Sequence, residues 1–354
     1  MERLACVWRG DYLESIHYGS LAVVDSTGRL LAWAGDPGHE TFIRSAAKPF
    51  QAIPLILEGG IEEYDLSPEE VALVCASHGG EPKHVATAAA LLRKGEFDET
   101  DLLCGVHTPF DERAAAELRQ TGERPTPLHN NCSGKHAGML LAASLLDLPS
   151  AGYTDPEHAL QRQILEILAD FAGLEAGEIG LGIDGCGVPT YRMSLYRAAL
   201  AYARLASLAR EERTDVPLAR YGDAVAEIFD SMTGHADYVA GHWSMTTPLM
   251  QSFGGGLLAK EGAEGFYAMA LEPAAAAPIL ERIGFEERAG LGVALKIADG
   301  SMVRGRDSAV LRTLEELGLA IDTQRLGAYR ERRITNCAGL QVGRVGSDFH
   351  LKYP

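Results

Sequence analysis

Strand-type and helix-type patterns are segregated along this chain, and that order restricts its fold more than any single motif does. The first 35 residues read as strands: Leu4 to Trp8, Leu21 to Val24, a turn over Asp25 to Gly28, and Leu30 to Ala34. Strand character returns near the end. Gly292 to Ala298, a turn at Asp299-Gly300 and Met302 to Arg304 predict a hairpin, and Leu340 to Val345 predict a closing strand. Between these ends, apolar residues recur at helical spacing over Glu112 to Arg119, Gly134 to Leu146, Pro156 to Phe171, Tyr191 to Ala209 and Val216 to Met232. Ser67-Pro68-Glu69-Glu70 is a capping box that starts a short helix, and Pro82 opens another through about Lys94. No linker, repeat or low-complexity stretch separates the patterns. The expected architecture is therefore α/β (α+β): one antiparallel sheet built from both chain ends, with a helical middle insertion. In domain terms this is a single catalytic domain over 1–354, with a mainly helical subdomain at about 60–235.

Charge narrows the function. Lys and Arg total 32 against 49 Asp and Glu, a net charge of −17, which disfavours nucleic acid and anionic lipid as partners. A small-molecule substrate is expected. The opening Met1 to Trp8 runs straight into Arg9 and Asp11, so no signal-peptide apolar region forms, and no apolar run is long enough to span a bilayer. Six sparse, irregularly spaced cysteines suit reduced thiols and a cytoplasmic location.

Only 7 of the 32 basic residues are lysines, leaving 25 arginines. A chain that uses Arg for ordinary charge can reserve Lys for places where a neutral amine is needed, because Arg does not lose its proton. Lys48, Lys135 and Lys260 all lie in unusual strings. In Arg44-Ser45-Ala46-Ala47-Lys48-Pro49 a hydroxyl and an amine are three residues apart, so on a helical turn Lys48 can act as general base toward Ser45. Ser77-His78-Gly79-Gly80 forms a polar tip after the apolar run Val71 to Ala76; Ser77 either lines a pocket or caps a turn.

His129 to His136 (His-Asn-Asn-Cys-Ser-Gly-Lys-His) is dense in ligand-type atoms just before an apolar helix. Cys132 falls near that helix's N-terminus, where the dipole favours a thiolate, and Lys135 and His136 follow within one turn. Gly182 to Pro189 sets Asp184 and Cys186 on a glycine-rich loop. Cys132 and Cys186 are either packed thiols or two ligands of a zinc ion completed by Lys135 or His136 and a water. Ser252 to Gly262 carries a glycine run ahead of Lys260-Glu261-Gly262, similar to the third signature element of penicillin-binding serine hydrolases.

Taken in order, these strings resemble the Rhizobium etli type of L-asparaginase, the thermolabile asparaginase II family. The matching motifs run from Arg44–Pro49 through Ala76–Glu81, Asn130–His136 and Asp184–Gly187 to Leu258–Gly265. The resemblance implies a fold similar to serine β-lactamases and glutaminases, hydrolysis of L-asparagine to L-aspartate and ammonia, and a homodimer. It implies two Ser-Lys pairs, Ser45 with Lys48 and Ser77 with Lys260, with Ser45 the favoured nucleophile. Cys132, Lys135 and Cys186 match zinc ligands. Arg44, Gly79, His136 and Asp184 are expected to bind substrate, Arg44 at the carboxylate and Asp184 at the ammonium group. A related serine amidohydrolase, glutaminase or β-lactamase-like, is the competing enzyme reading. A non-catalytic zinc or amino-acid binding protein is the competing reading outside catalysis.

Overall fold

The computed structural model describes residues 1–210, 218–285 and 288–354. Its strands are β1 (Glu2–Arg9), β2 (Tyr12–Asp25), β3 (Leu30–Ala34), β4 (Glu40–Phe42), β5 (Gly180–Ile183), β6 (Pro189–Ser194), β7 (Leu257–Glu261), β8 (Phe266–Leu271), β9 (Leu291–Ile297), β10 (Arg332–Thr335) and β11 (Gln341–Gly346). The helices of the first half are α1 (Lys48–Leu57), α2 (Gly60–Tyr64), α3 (Pro68–Val74), α4 (Pro82–Lys94), α5 (Glu112–Thr121), α6 (Ser133–Leu145) and α7 (Ala159–Ala172). Those of the second half are α8 (Leu195–Leu208), α9 (Gly222–Gly234), α10 (Ala236–Val239), α11 (Thr246–Ser252), α12 (Pro273–Arg282), α13 (Asp307–Glu316) and α14 (Thr323–Arg330). The result is a mixed α/β protein with an antiparallel sheet drawn from both chain ends and a helical middle.

Two compact units divide the chain. The first holds Met1–Ala46, Arg192–Arg210 and Pro248–Pro354. Its sheet has the order β10-β11-β1-β2-β9-β8-β7, with β3 also paired to β2. The β2–β9 register sets Leu21 opposite Leu295 and Val23 opposite Val293, and these four side chains are buried. Helix α8 lies directly on β9 because glycines stand in that strand and just before it: a Cβ on Gly292 would sit 1.8 Å from the Ala199 carbonyl oxygen, and one on Gly290 2.6 Å from the Ser207 nitrogen. Any side chain there would push the helix off the sheet.

The second unit holds Ala47–Tyr191 and Glu211–Thr247 and is mainly helical. The capping box at Ser67 forms as expected, with the Ser67 amide donating to Glu70 Oε2 at 2.8 Å and the Glu70 amide to Ser67 Oγ at 3.4 Å. Helices α3 and α6 approach closely because α6 presents Gly134 and Gly138 on one face. A Cβ at Gly134 would lie 2.4 Å from the Leu73 carbonyl oxygen, and one at Gly138 2.5 Å from Val74 Cγ1.

Several local expectations change. Met302 to Arg304 is not a strand; it belongs to a wide π-helical turn, Met302–Arg306, in which the Arg306 amide bonds to the Ser301 carbonyl at 3.1 Å. The turn brings Arg306 into the interior, where its guanidinium pairs with Asp307 at 2.7 Å and Glu261 at 3.3 Å. That tertiary ion pairing overrides the local strand pattern. Tyr191 to Ser194 is the end of β6, and α8 starts only at Leu195, after the Ser194 hydroxyl caps it. Val216 lies outside the described residues, and the helix expected there begins at Gly222. Strand β8 escapes a period-two reading because all six of its residues are buried. Among the described residues no helix is long and apolar enough to cross a membrane.

Candidate active site

The candidate residues of the second unit gather where α1, the segment after α3, the start of α6 and the loop between β5 and β6 meet. Lys48 is the first residue of α1, with Pro49 in the first turn where its missing N–H costs nothing. The Lys48 side chain is 1% exposed. Its Nζ donates to the Ala76 carbonyl oxygen, lies 3.0 Å from Ser77 Oγ and 3.5 Å from the Asn131 carbonyl oxygen. The hydroxyl that Lys48 is seen to reach is therefore Ser77's. Ser45 sits three residues earlier in the 3₁₀ turn Arg44–Ala47, half-buried.

That turn is fixed inside the first unit. Tyr202 Oη donates to the Ala46 carbonyl oxygen at 2.7 Å, and the Ala46 amide bonds to the Ile43 carbonyl at 3.1 Å. Arg44 has φ of 52°, a left-handed conformation uncommon outside glycine and concentrated at functional sites. Gly262 allows the end of β7 to reach the same turn, since a Cβ there would lie 2.6 Å from the Ile43 carbonyl oxygen. Lys260, two residues before it, is buried in β7 with Nζ 3.1 Å from the Glu261 carbonyl oxygen.

Cys132 is the N-cap residue of α6, as the sequence predicts. Asn130 holds it there: its side-chain oxygen accepts from the Cys132 amide at 2.9 Å, and its side-chain nitrogen donates to the Cys104 and Gly105 carbonyls at 2.9 and 3.0 Å. Lys135, one turn on, donates to Cys186 Sγ at 2.9 Å. Cys186 is presented by a turn in which the Gly187 amide bonds to the Asp184 carbonyl at 2.9 Å and Gly187 takes φ of 89°. Asp184, half-buried, bonds through Oδ1 to the Gly185 amide at 2.7 Å.

Protons divide unequally among these groups. The hydrogen bond from the Cys186 thiol holds Cys132 well below the ordinary thiol range; burial opposes this, and the Lys48 and Lys135 charges reinforce it. The same bond, followed by burial, pushes Cys186 up. Burial works against a charge on Lys135, but the Cys186 and Cys132 sulfurs outweigh it and raise its pKa. A third thiol, Cys104, is pushed up to about 12, first by burial and then by Cys132.

These three donors suit zinc in kind and in convergence. Zn–S of about 2.3 Å and Zn–N of about 2.0 Å in a tetrahedron separate nitrogen and sulfur by roughly 3.5 Å, so the Lys135–Cys186 contact would open by a few tenths of an ångström. Cys186 would also lose its proton and Lys135 would be neutral. Among the described residues no group of three or more His, Cys, Asp or Glu side chains is spaced for a metal, so a metal here depends on the Lys135 amine.

His136 is fully buried, and among the described residues its Nε2 has no hydrogen-bond partner. The Leu103 amide donates to Tyr153 Oη at 3.0 Å, and that hydroxyl lies 2.7 Å from His136 Nδ1. If the Tyr153 hydroxyl donates to Nδ1, the proton of the neutral ring lies on Nε2. Burial, then Lys135 and Lys48, keep the ring neutral by lowering its pKa. Gly79 is glycine for space: a Cβ there would lie 2.9 Å from Trp243 Cδ1 and 3.1 Å from Asp111 Cβ. A cavity of about 690 Å³ bounded by Asp307, Tyr329, Arg332 and Arg333 contains none of the candidate residues. Asn130 and Tyr153 were not singled out by sequence; Asn130 stood inside a marked string, and Tyr153 carried no signal.

The L-asparaginase II family model matches residues 5–347. The chain belongs to the L-asparaginase II family. No curated protein matches it. Among solved structures it is similar to Mglu in its native form, at 18% identity and a TM-score of 0.43 over 86% of this chain. The chain spans 65% of that protein's length. Mglu in 4.3 M NaCl gives 18% identity and a TM-score of 0.46, covering 90% of this chain and 66% of that one. A Bacillus glutaminase in 4.3 M NaCl gives 14% and 0.37, covering 86% and 92%.

Proposed function

We propose that the chain hydrolyses the side-chain amide of L-asparagine to L-aspartate and ammonia, as a serine amidohydrolase of the Rhizobium etli type. The observation that carries this reading is the buried Lys48 amine, held by two carbonyls against a serine hydroxyl with no carboxylate bonded to it. To act as base Lys48 gives up one proton, which leaves two N–H groups for the carbonyls and a lone pair for a hydroxyl proton. Ser45 is the nucleophile in this reading, since its half-buried position leaves it within a substrate's reach while Ser77 is 3% exposed. Lys48 takes the Ser45 proton as oxygen attacks the amide carbon. Ammonia departs with a proton returned from Lys48, and water then hydrolyses the ester. By resemblance, Ser77 and Lys260 are the second Ser-Lys pair.

By resemblance, Arg44 binds the substrate carboxylate and Asp184 its ammonium group, with His136 and Gly79 as further substrate-binding residues. Zinc, held by Cys132, Lys135 and Cys186, would supply a fixed positive charge that positions substrate. The same resemblance supports a cytoplasmic homodimer with a small-molecule substrate. The test is ammonia release from L-asparagine and L-glutamine, with and without added zinc. Release from L-asparagine is expected; turnover of L-glutamine alone would overturn the substrate assignment.

A further inference from the structure

We propose that His78 is a positioning residue which, through Ser133, fixes the cage of acceptors around the Lys48 amine. The proposal rests on reading Lys48 and Ser77 as parts of the amide-hydrolysing site. The cage is drawn from two separate segments. Ala76 and Ser77, after α3, supply a carbonyl and a hydroxyl; Asn131, just before α6, supplies the third acceptor. A slip of one segment past the other would pull the cage apart.

His78 and Ser133 are placed to prevent that slip. Each is next in sequence to a candidate residue, Ser77 or Cys132, and both are 0% exposed. The Gly80 amide donates to His78 Nδ1 at 3.1 Å, so in a neutral ring the proton lies on Nε2. That Nε2–H donates to Ser133 Oγ at 2.9 Å, and the Ser133 hydroxyl donates onward to the Leu128 carbonyl at 2.9 Å. The relay thus has one direction, with both ring nitrogens and the hydroxyl proton engaged. Gly134 and Gly138 let α3 and α6 meet at van der Waals distance, which makes so short a link possible.

The other face of the ring is also held. His78 stacks on His84 with centroids 5.0 Å apart and planes 28° from parallel. His84 is itself oriented, with Nδ1 accepting from the Glu81 amide at 3.2 Å and Nε2 2.8 Å from the Asp237 carbonyl oxygen. Rotation of His78 away from Ser133 would break the stack as well as the hydrogen bond.

Three single substitutions and one double test the proposal. His78→Leu fills the space without a donor, Ser133→Ala removes the acceptor, and His78→Gln restores an N–H close to the Nε2 position. His78→Leu and Ser133→Ala are each expected to lower kcat on L-asparagine about tenfold with KM within about twofold. The double variant should be no worse than the poorer single, because both remove one link. His78→Gln should recover most of the lost kcat. Nitrogen NMR of the wild-type ring should show a neutral Nε2–H tautomer with a slowly exchanging proton, whatever substrate the enzyme uses. If the wild type releases no ammonia from any amide, the reading of the site fails while this spectrum still judges the relay. Wild-type kinetics in His78→Leu or in Ser133→Ala, losses that add in the double variant, or an Nδ1–H tautomer would each overturn the proposal.

Discussion

In the first unit the buried guanidinium of Arg306 lies between two carboxylates, 2.7 Å from Asp307 and 3.3 Å from Glu261. In the second, the buried amines of Lys48 and Lys135 meet carbonyls, a hydroxyl and a sulfur, with no carboxylate in hydrogen-bond contact among the described residues. The two arrangements do different work. A carboxylate pair neutralises a cation that cannot lose its proton, and the result is a fixed brace. Lys48 meets neutral acceptors, the setting the proposed base requires, whereas the sulfurs beside Lys135 raise its pKa, so it would have to give up that proton to bind a metal. The contrast gives Arg306 a structural role and leaves the two lysines as the candidates for the proposed chemistry.

The largest effect should come from the brace. Arg306→Met removes the cation between two buried carboxylates and is expected to destabilise the protein by about 3–5 kcal/mol. Urea denaturation measures it, and an unchanged midpoint would break the contrast from the first unit's side. Next come Ser45→Ala and Lys48→Met, each expected to lower kcat by at least about a hundredfold, or about 2.7 kcal/mol of barrier, with a much smaller loss of stability. Ser77→Ala should cost less than Ser45→Ala; the reverse order would make Ser77 the nucleophile and keep Lys48 as its base.

Cys132→Ser is expected to reduce bound zinc and raise KM about tenfold while leaving kcat nearly intact. Metal content measured on the purified protein checks this, and an unchanged value would remove the metal assignment. The smallest effect belongs to a surface pair in the second unit, Lys83 with Asp237. Burial raises the Asp237 pKa, but the Lys83 hydrogen bond and charge exceed it, so the folded value is below normal. Its stabilisation is therefore present above the unfolded carboxylate pKa and is lost as pH falls through the folded one. The pair is partly exposed, so Asp237→Asn should cost under about 1 kcal/mol at neutral pH. Its melting temperature should converge with that of the wild type in acid.

Local signals were sufficient where a residue's neighbours in sequence are also its partners in space. The Ser67 capping box, Pro82 opening α4, the turn closed by Gly28 and the start of α6 at Cys132 all depend on contacts within a few residues. They were legible for that reason. Strand β8 was not, because burial of every residue erases alternation. The π-helical turn at Met302–Arg306 was not, because its cause is an ion pair with Glu261, 45 residues away.

The same division runs through the site. Sequence alone determined the order of strands and helices, the scarcity of lysine, and the strings that hold Ser45, Lys48, Ser77, Cys132, Lys135, Cys186 and Lys260. It could pair Ser45 with Lys48 only by spacing. Tertiary structure decided that the Lys48 amine bonds to Ser77, that Lys135 reaches Cys186, and that the histidine next to Ser77 bonds the serine next to Cys132. These pairs lie 29, 51 and 55 residues apart. The last of these depends on how closely α3 and α6 pack, and that closeness rests on two glycines whose meaning appears only when the opposing helix is in place.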